Sequence, residues 1–257
     1  LLSTTRQSIE ESQLKDQIEL LRRIADGCAQ PGFSMTRLAV ENVIEEASRI
    51  IGLSRRSHKF GNIISASPSQ SVTLTYNANN AAHLYTIPSL ISRFLRTTNV
   101  TTKSVLTDYV NVMYPYLKAE MFLPWESTEV SLIVTRSLNC LIELGIIVDD
   151  RGRLSTPTPD SVKYNSLTDL ANISDPPMER FYIVIALILN GGNLSTKQLE
   201  TAASGVAEQL CILYGINSPD FFERSLFTTF LAKLKEEELI VQREGQLVAV
   251  DNFASFE

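Results

Sequence analysis

Apolar residues recur at spacings of three and four in three long stretches of the chain. They are "TRLAVENVIEEASRIIGL" (36–53), "EVSLIVTRSLNCLIELGII" (129–147) and "FERSLFTTFLAKLKEEELI" (222–240). That spacing is the period of an amphipathic helix. Aligning Leu53, Ile146 and Leu239 sets the copies 93 residues apart. An earlier helix precedes each copy: "QLKDQIELLRRI" from Gln13, "VLTDYVNVMYPYL" from Val105 and "QLETAASGVAEQL" from Gln198. Their anchors Leu14, Leu106 and Leu199 lie 92 and then 93 positions apart. Polar residues that can cap these helices stand just before them: Ser12 or Ser8, Thr102, and Ser195 or Thr196.

After each second helix the pattern switches to alternation, the mark of a half-buried strand. "GNIISASPSQSVTLTY" predicts a hairpin turning at Pro68-Ser69. "IIVDDRGRLST" predicts one at Asp150-Arg151-Gly152, and "LIVQREGQLVAV" one at Glu244-Gly245. A further apolar helix opens each copy, truncated at Leu1-Leu2 and then spanning 80–96 and 178–190. Helix, helix, helix and two-stranded ribbon is the winged-helix order. The expected fold class is therefore mostly α with small β-ribbons (α+β), in three tandem winged-helix-like modules: 1–79, truncated at its start, 80–165, and 166–257. "STPTPDSVKYNS" (155–166) and "NISDPP" (172–177) read as linkers. "GCAQPGFSM" (27–35) reads as a loop inside the first module, and Gly191-Gly192-Asn193 as a helix-ending turn.

Composition narrows the function. The 257 residues are 44% hydrophobic with a net charge of −6, enough apolar content for packed cores. An acidic chain repels nucleic-acid phosphate unless its basic residues gather on one face. Here they gather only at Arg55, Arg56 and Lys59. Cys28, Cys140 and Cys211 are far apart in apolar segments with no CxxC, which points to reduced buried thiols rather than a zinc site. The longest apolar run, Phe181 to Leu189, is far shorter than the roughly 20 residues that a bilayer crossing needs. The start, "LLSTTRQ", is neither a leader nor a Met, so the chain reads as a piece of something longer, soluble as a fragment.

Candidate chemistry is sparse. His58 and His83 are 25 residues apart, too far for a local metal site on one helix, and neither has Asp five positions on. No nucleophile elbow, phosphate loop or dinucleotide fingerprint occurs. No catalytic residue, metal or cofactor is therefore expected. His83, four residues before Ile87, reads as a partly buried histidine on the helix that starts near Asn80. Asn77, Asn79 and Asn80 read as the end of the ribbon and the cap of that helix. In "YPYLKAEMFLPWES", Tyr114, Leu117, Met121 and Phe122 share one helical face, Lys118 and Glu120 point elsewhere, and Pro124 ends the helix. Trp125, the only tryptophan, is a candidate docking anchor. "KLKEEEL" (233–239) reads as a solvated face pairing Lys233 with Glu237.

Several strings then resemble a known family. "VTLTYNANNAAHLYTIPSLI", "YPYLKAEMFLPW" and "VAEQLCILYGINSPDFFERSLFTTFLAKLKEEELI" are similar to the C-terminal third of the bacterial membrane-associated glycerol-3-phosphate acyltransferases, and the likeness runs from Leu1 to about Val250. The resemblance implies a parent that moves an acyl group from acyl-CoA or acyl-carrier protein to the 1-hydroxyl of sn-glycerol-3-phosphate. It also implies that the parent works on the cytoplasmic face of the inner membrane. The family's His-x-x-x-x-Asp motif, with histidine as general base, and its phosphate-binding arginines lie upstream, so no catalytic residue carries over to this chain. Where the family reads Tyr-Tyr-Arg-Asn-Asn, this chain has Tyr76-Asn77-Ala78-Asn79-Asn80, and any contact of that arginine is missing here. The implied role is a supporting region that docks on the parent's acyltransferase domain through Tyr76, Asn79, Asn80, His83 and Trp125. The expected partners are that domain and, through the parent, the acyl donor and a membrane surface.

Two other classes fit less well. A tandem winged-helix nucleic-acid binder needs basic recognition helices. Yet 129–147 has Arg136 against Glu129 and Glu143, and 222–240 has Arg224, Lys233 and Lys235 against Glu223, Glu236, Glu237 and Glu238. A peripheral membrane module could use the apolar helices at 80–96 and 181–189, but no basic cluster flanks either.

Overall fold

The computed structural model describes residues 7–28, 35–121, 123–190, 194–214, 221–250 and 253. Strand β1 (Ser8–Glu10) runs into helix α1 (Glu11–Cys28). Helix α2 (Val40–Ile51), the hairpin β2 (Ser54–His58) and β3 (Gly61–Ser65), and the long helix α3 (Pro68–Thr98) follow. Next come β4 (Val100–Thr102), α4 (Lys103–Met121), a 3-10 turn (Ser127–Glu129) leading into α5 (Val130–Glu143), and the hairpin β5 (Val148–Asp150) and β6 (Arg153–Ser155). The rest is α6 (Val162–Ala171), α7 (Asp175–Asn190), α8 (Thr196–Tyr214), α9 (Arg224–Glu236), β7 (Ile240–Arg243) and β8 (Gln246–Ala249). The protein is mostly helical with small antiparallel sheets, an α+β architecture.

Two compact units divide the chain. One is Leu1–Tyr114 with Pro124–Asp175, the other Pro115–Leu123 with Pro176–Glu257. In the first unit the sheets repeat one topology. The strand orders are β1-β3-β2 and β4-β6-β5. Ser65 lies opposite Ser8 and Ser54, and Ser155 lies opposite Val100 and Val148. The inner strand of each sheet buries one apolar residue, Ile64 or Leu154. Just before the outer strands, Gln7 and Asn99 adopt left-handed backbone, φ 49° and 62°. Their carbonyls accept from the N–H groups of Ala66 (3.0 Å) and Thr156 (3.2 Å). In the second unit β8 pairs with β7, and the N–H of Leu247 also donates to the carbonyl of Leu194 at 2.8 Å.

The second helix of each copy ends in the same way. Gly52, Gly145 and Glu238 stand in left-handed backbone at φ 79°, 68° and 57°. The next residues, Leu53, Ile146 and Leu239, donate their N–H five residues back to Ser48, Leu141 and Leu234 at 3.1, 2.9 and 3.0 Å. This closes the helix carbonyls and turns an apolar side chain back toward the core. Left-handed backbone costs an L-residue energy that glycine avoids. Glu238→Gly should therefore raise stability by about 0.5–1 kcal/mol, and Gly145→Ala lower it by about 1 kcal/mol, read as urea midpoints at constant slope.

Several sequence expectations hold locally. The hairpins turn at Arg151-Gly152 and Glu244-Gly245, with positive φ at both loop residues of each, the geometry a two-residue loop needs. Thr102 Oγ1 accepts from the N–H of Val105 at 3.5 Å. Ser195 and Gln198 form a reciprocal capping box, with the Gln198 N–H donating to Ser195 Oγ at 3.4 Å and the Ser195 N–H to Gln198 Oε1 at 2.9 Å. Lys233 pairs with Glu237 at 2.8 Å, and Glu236 joins it at 2.8 Å. Ser8 lies in β1, and Ser12 lies in the first turn of α1, where its Oγ donates to Glu10 Oε1 at 2.8 Å. The stretch read as a linker at 155–166 turns into α6 at Val162, capped by Ser161 Oγ. In "NISDPP" the helix α7 begins at Asp175. The expectations for Leu1-Leu2, Phe122 and Gly191-Gly192-Asn193, and for residues 29–34 of the loop, fall outside the described residues.

The largest correction concerns the first hairpin. It turns at Lys59-Phe60, not at Pro68-Ser69, because β2 lies one strand earlier than the alternation suggested. Pro68 is the first residue of α3, so the helix expected over 80–96 begins twelve residues sooner. The β-branched run Val72, Thr73 and Thr75 argued for a strand. A stronger local device overrides it. Ser67 Oγ accepts from the N–H of Gln70 (3.4 Å), Gln70 Oε1 accepts from the N–H of Ser67 (2.7 Å), and Pro68 fits the first helical turn, where its missing N–H costs nothing.

Candidate functional site

Helix α3 has two characters. From Tyr85 to Ser92 every residue is buried, and Leu95 extends that run. Its first half is largely open, with Val72 56% and Tyr76 70% exposed. At 3.6 residues per turn, Val72, Tyr76, Asn79, Asn80 and His83 share about 100° of one face. The structure thus brings together four of the five candidate docking residues on a rigid helix. His83 is half-buried, as expected, at the point where the open half meets the core. The asparagines cap nothing: they lie inside the helix, and Asn77 Nδ2 donates to the Thr73 carbonyl at 2.8 Å.

Trp125 sits apart from this stripe, on the connection between α4 and α5. It is half-buried, and its carbonyl accepts from the hydroxyl of Tyr114 at 2.6 Å. Burial, helped by the charge of Glu126, pushes that phenol up to about 12. This hydrogen bond fixes the chain just after the end of α4. Farther along α3, Arg93 and Arg96 converge on Asp175. Arg96 reaches it at 2.7 Å and also donates to Asn172 Oδ1 at 2.6 Å. This cluster ties the end of α3 to Asn172 and Asp175 within the first unit.

One thiol pair was not legible in the sequence. Cys28 ends α1, and Cys140 lies on α5, more than a hundred residues on. A Cβ on Gly27 would stand 2.4 Å from Cys140 Sγ, so glycine is what lets the two helices approach here. A hydrogen bond from Cys140 holds the Cys28 thiol below the usual range, assisted by Ser137 and Arg136. The same bond, together with burial, pushes Cys140 up. Burial also raises Cys211. The thiolate is the reacting species. Iodoacetamide at about pH 7 should therefore label Cys28 faster than Cys140 or Cys211, as peptide mass spectrometry would read. Faster labelling of Cys140 would contradict this ordering.

Among the described residues no three of His, Cys, Asp and Glu gather around a point that could hold a metal. A groove of about 240 Å³ between α1 and α2 is lined by Ile44, Glu45, Ser48 and two ion pairs, Lys15 with Glu41 at 3.0 Å and Arg55 with Glu11 at 2.6 Å. Asn62 and then Arg55 hold the Glu11 carboxyl below its usual range. His58 lies on β2 and His83 on α3, two separate elements.

Relatedness carries the identification. Residues 1–243 match the family described as glycerol-3-phosphate acyltransferase C-terminal region. The chain belongs to that family. It is 30% identical to the glycerol-3-phosphate acyltransferase of Pseudomonas aeruginosa (strain UCBPP-PA14) over 251 residues, which cover 95% of this chain and 30% of the relative. The enzymes of the same name from Pseudomonas fluorescens (strain SBW25) and Pseudomonas putida (strain W619) are also 30% identical, covering 95% and 93% of this chain. The chain thus spans about a third of the length of these curated relatives. Among the described residues no helix of this family member is long and apolar enough to cross a membrane.

Proposed function

We propose that this chain is the non-catalytic C-terminal region of a glycerol-3-phosphate 1-O-acyltransferase, and that it packs on and supports the acyltransferase domain of the same polypeptide. The parent transfers an acyl group from acyl-CoA or acyl-carrier protein to sn-glycerol-3-phosphate at the cytoplasmic face of the inner membrane. The observation that carries this reading is the divided helix α3. Its second half anchors it in the core, while its first half presents exposed Tyr76, Asn79 and Asn80 and half-buried His83 on one face. A rigid stripe of one aromatic, two amides and an imidazole suits a protein surface, where tyrosine buries area and amides supply hydrogen bonds. Trp125 belongs to the same docking role at a second point.

The region is built as three tandem winged-helix-like modules, 1–79, 80–165 and 166–257. The helix–helix–hairpin order, led by a strand in the first two copies, and the matching helix ends at Gly52, Gly145 and Glu238 support this reading. The acyl donor and the membrane reach it through the parent. Nucleic acid is not a partner, because the helices that would read it carry as much acid as base.

The test is acylation of glycerol-3-phosphate by the parent, by the parent lacking this region, and by the truncated parent with the region added in trans. The expected result is loss on deletion and recovery in trans, with recovery abolished by Tyr76→Ala combined with His83→Ala. Full activity of the truncated parent would exclude the supporting role.

A further inference from the structure

The three hairpins differ in chemistry although they share a place in the repeat. The first, residues 54–65, carries Arg55, Arg56 and Lys59 with no acidic residue, in a chain of net charge −6. The hairpins at 148–155 and 240–249 balance their charges, with Asp149, Asp150, Arg151 and Arg153 in one and Arg243 and Glu244 in the other, and neither has an aromatic residue. β2 is an outer strand with all five residues exposed. At the turn Phe60 is 76% exposed. Lys59 Nζ stands 4.7 Å from the Phe60 ring centroid, and the His58 ring centroid lies 5.4 Å from it. The N–H of Phe60 donates to His58 Nδ1 at 3.3 Å, which fixes the tip. Arg55 is tied to Glu11, so Arg56 and Lys59 are the cations left to an outside partner.

We propose that the tip of the β2–β3 hairpin is an interfacial anchor for an anionic lipid surface, with Phe60 seated among the headgroups and Arg56 and Lys59 on their phosphates. An exposed ring flanked by cations costs free energy in water and gains it at a charged interface, where the ring is buried and the long cationic stems keep their heads in the polar layer. A lone protruding ring needs a fitted pocket in a folded acidic partner, but only a headgroup layer in a bilayer. Each basic side chain near an anionic leaflet is worth about fivefold in partitioning. This adds a lipid contact within the chain itself to any that the parent supplies elsewhere, and it does not rest on the acyltransferase reading.

The test is cosedimentation of the 257-residue chain with phosphatidylcholine vesicles, with and without phosphatidylglycerol, at low and high salt. Binding is expected only with phosphatidylglycerol, and it should weaken as salt rises. Arg56→Gln with Lys59→Gln should weaken it about 25-fold, and Phe60→Ser roughly tenfold. The same change at Arg151 and Arg153 should leave binding unchanged. All these side chains are on the surface, so an unchanged thermal midpoint separates lost binding from lost folding. Absence of binding, equal binding to neutral vesicles, or binding indifferent to Arg56 and Lys59 overturns the proposal. So does retention on polyglutamate or DNA without vesicle binding. The readout is binding rather than acylation, so its failure is distinct from failure of complementation in trans.

Discussion

Arg180→Met is expected to destabilise the chain by about 3–5 kcal/mol, because it strips a buried carboxylate of its cation. Arg180 on α7 and Glu120 on α4 face each other with side chains only 5% and 7% exposed, and Arg180 Nη2 donates to Glu120 Oε1. The guanidinium also lies 5.9 Å from the centroid of the Phe221 ring. Its Nε and Nη1 are buried without hydrogen-bond partners. The pair is therefore incompletely satisfied and carries part of its desolvation cost uncompensated. Two measurements follow from that. Either single change, Arg180→Met or Glu120→Leu, should lower the urea midpoint strongly. The double change should recover most of the loss, since an apolar pair of similar volume removes both desolvation costs. A loss under about 1 kcal/mol for Arg180→Met, or a double variant as weak as the sum of the singles, would refute this account of the pair.

The second large effect belongs to the aromatic cluster of the same unit. Phe181 on α7 stacks on Phe230 of α9 with ring centroids 4.1 Å apart and planes 13° apart. Tyr116 of α4 meets both edge-on, at 6.3 Å and 5.4 Å. All three rings are buried. Phe181→Ala removes a full ring from a close-packed site and should cost about 3–5 kcal/mol. Phe181→Leu, which keeps most of the volume, should cost less than half of that. Because the rings share one space, Phe181→Ala with Phe230→Ala should cost less than the sum of the singles by about 0.5–3 kcal/mol. The Tyr116 hydroxyl adds an optical report. Burial, reinforced by the charge of Glu237, pushes it up to about 12. Opening the cluster should let that phenol ionise nearer its ordinary value, followed by absorbance as pH rises. A Tyr116 titration unchanged by Phe181→Ala would mean that the cluster closes over the cavity.

Features built from a few neighbouring residues are legible in the sequence alone. The apolar periods of 36–53, 129–147 and 222–240 place α2, α5 and α9, though each observed helix is shorter by several residues at one or both ends. Arg151-Gly152 and Glu244-Gly245 name their own turns, and Leu53, Ile146 and Leu239 mark the matching helix ends. The start of α3 is also written locally, in Ser67-Pro68-Ser69-Gln70, but the β-branched residues after it point the other way. Propensity is a weak guide there, and the capped end decides the outcome.

What only the tertiary structure decided involves residues distant in the chain. Periodicity puts Glu120 off the apolar face of α4, and nothing nearby announces that Arg180 meets it in the core. Cys28 and Cys140 read as unrelated buried thiols, and only the crossing of α1 and α5 at Gly27 joins them. Asn77, Asn79 and Asn80 read as the end of a ribbon and a helix cap, and Tyr76, Asn79, Asn80 and His83 share one side of α3 only because the helix continues through them. The reason is physical: caps, turns and helical periods are settled by interactions within about five residues, so the sequence displays them directly. Burial, pairing and exposure are settled by which elements pack together, and that depends on contacts many residues apart.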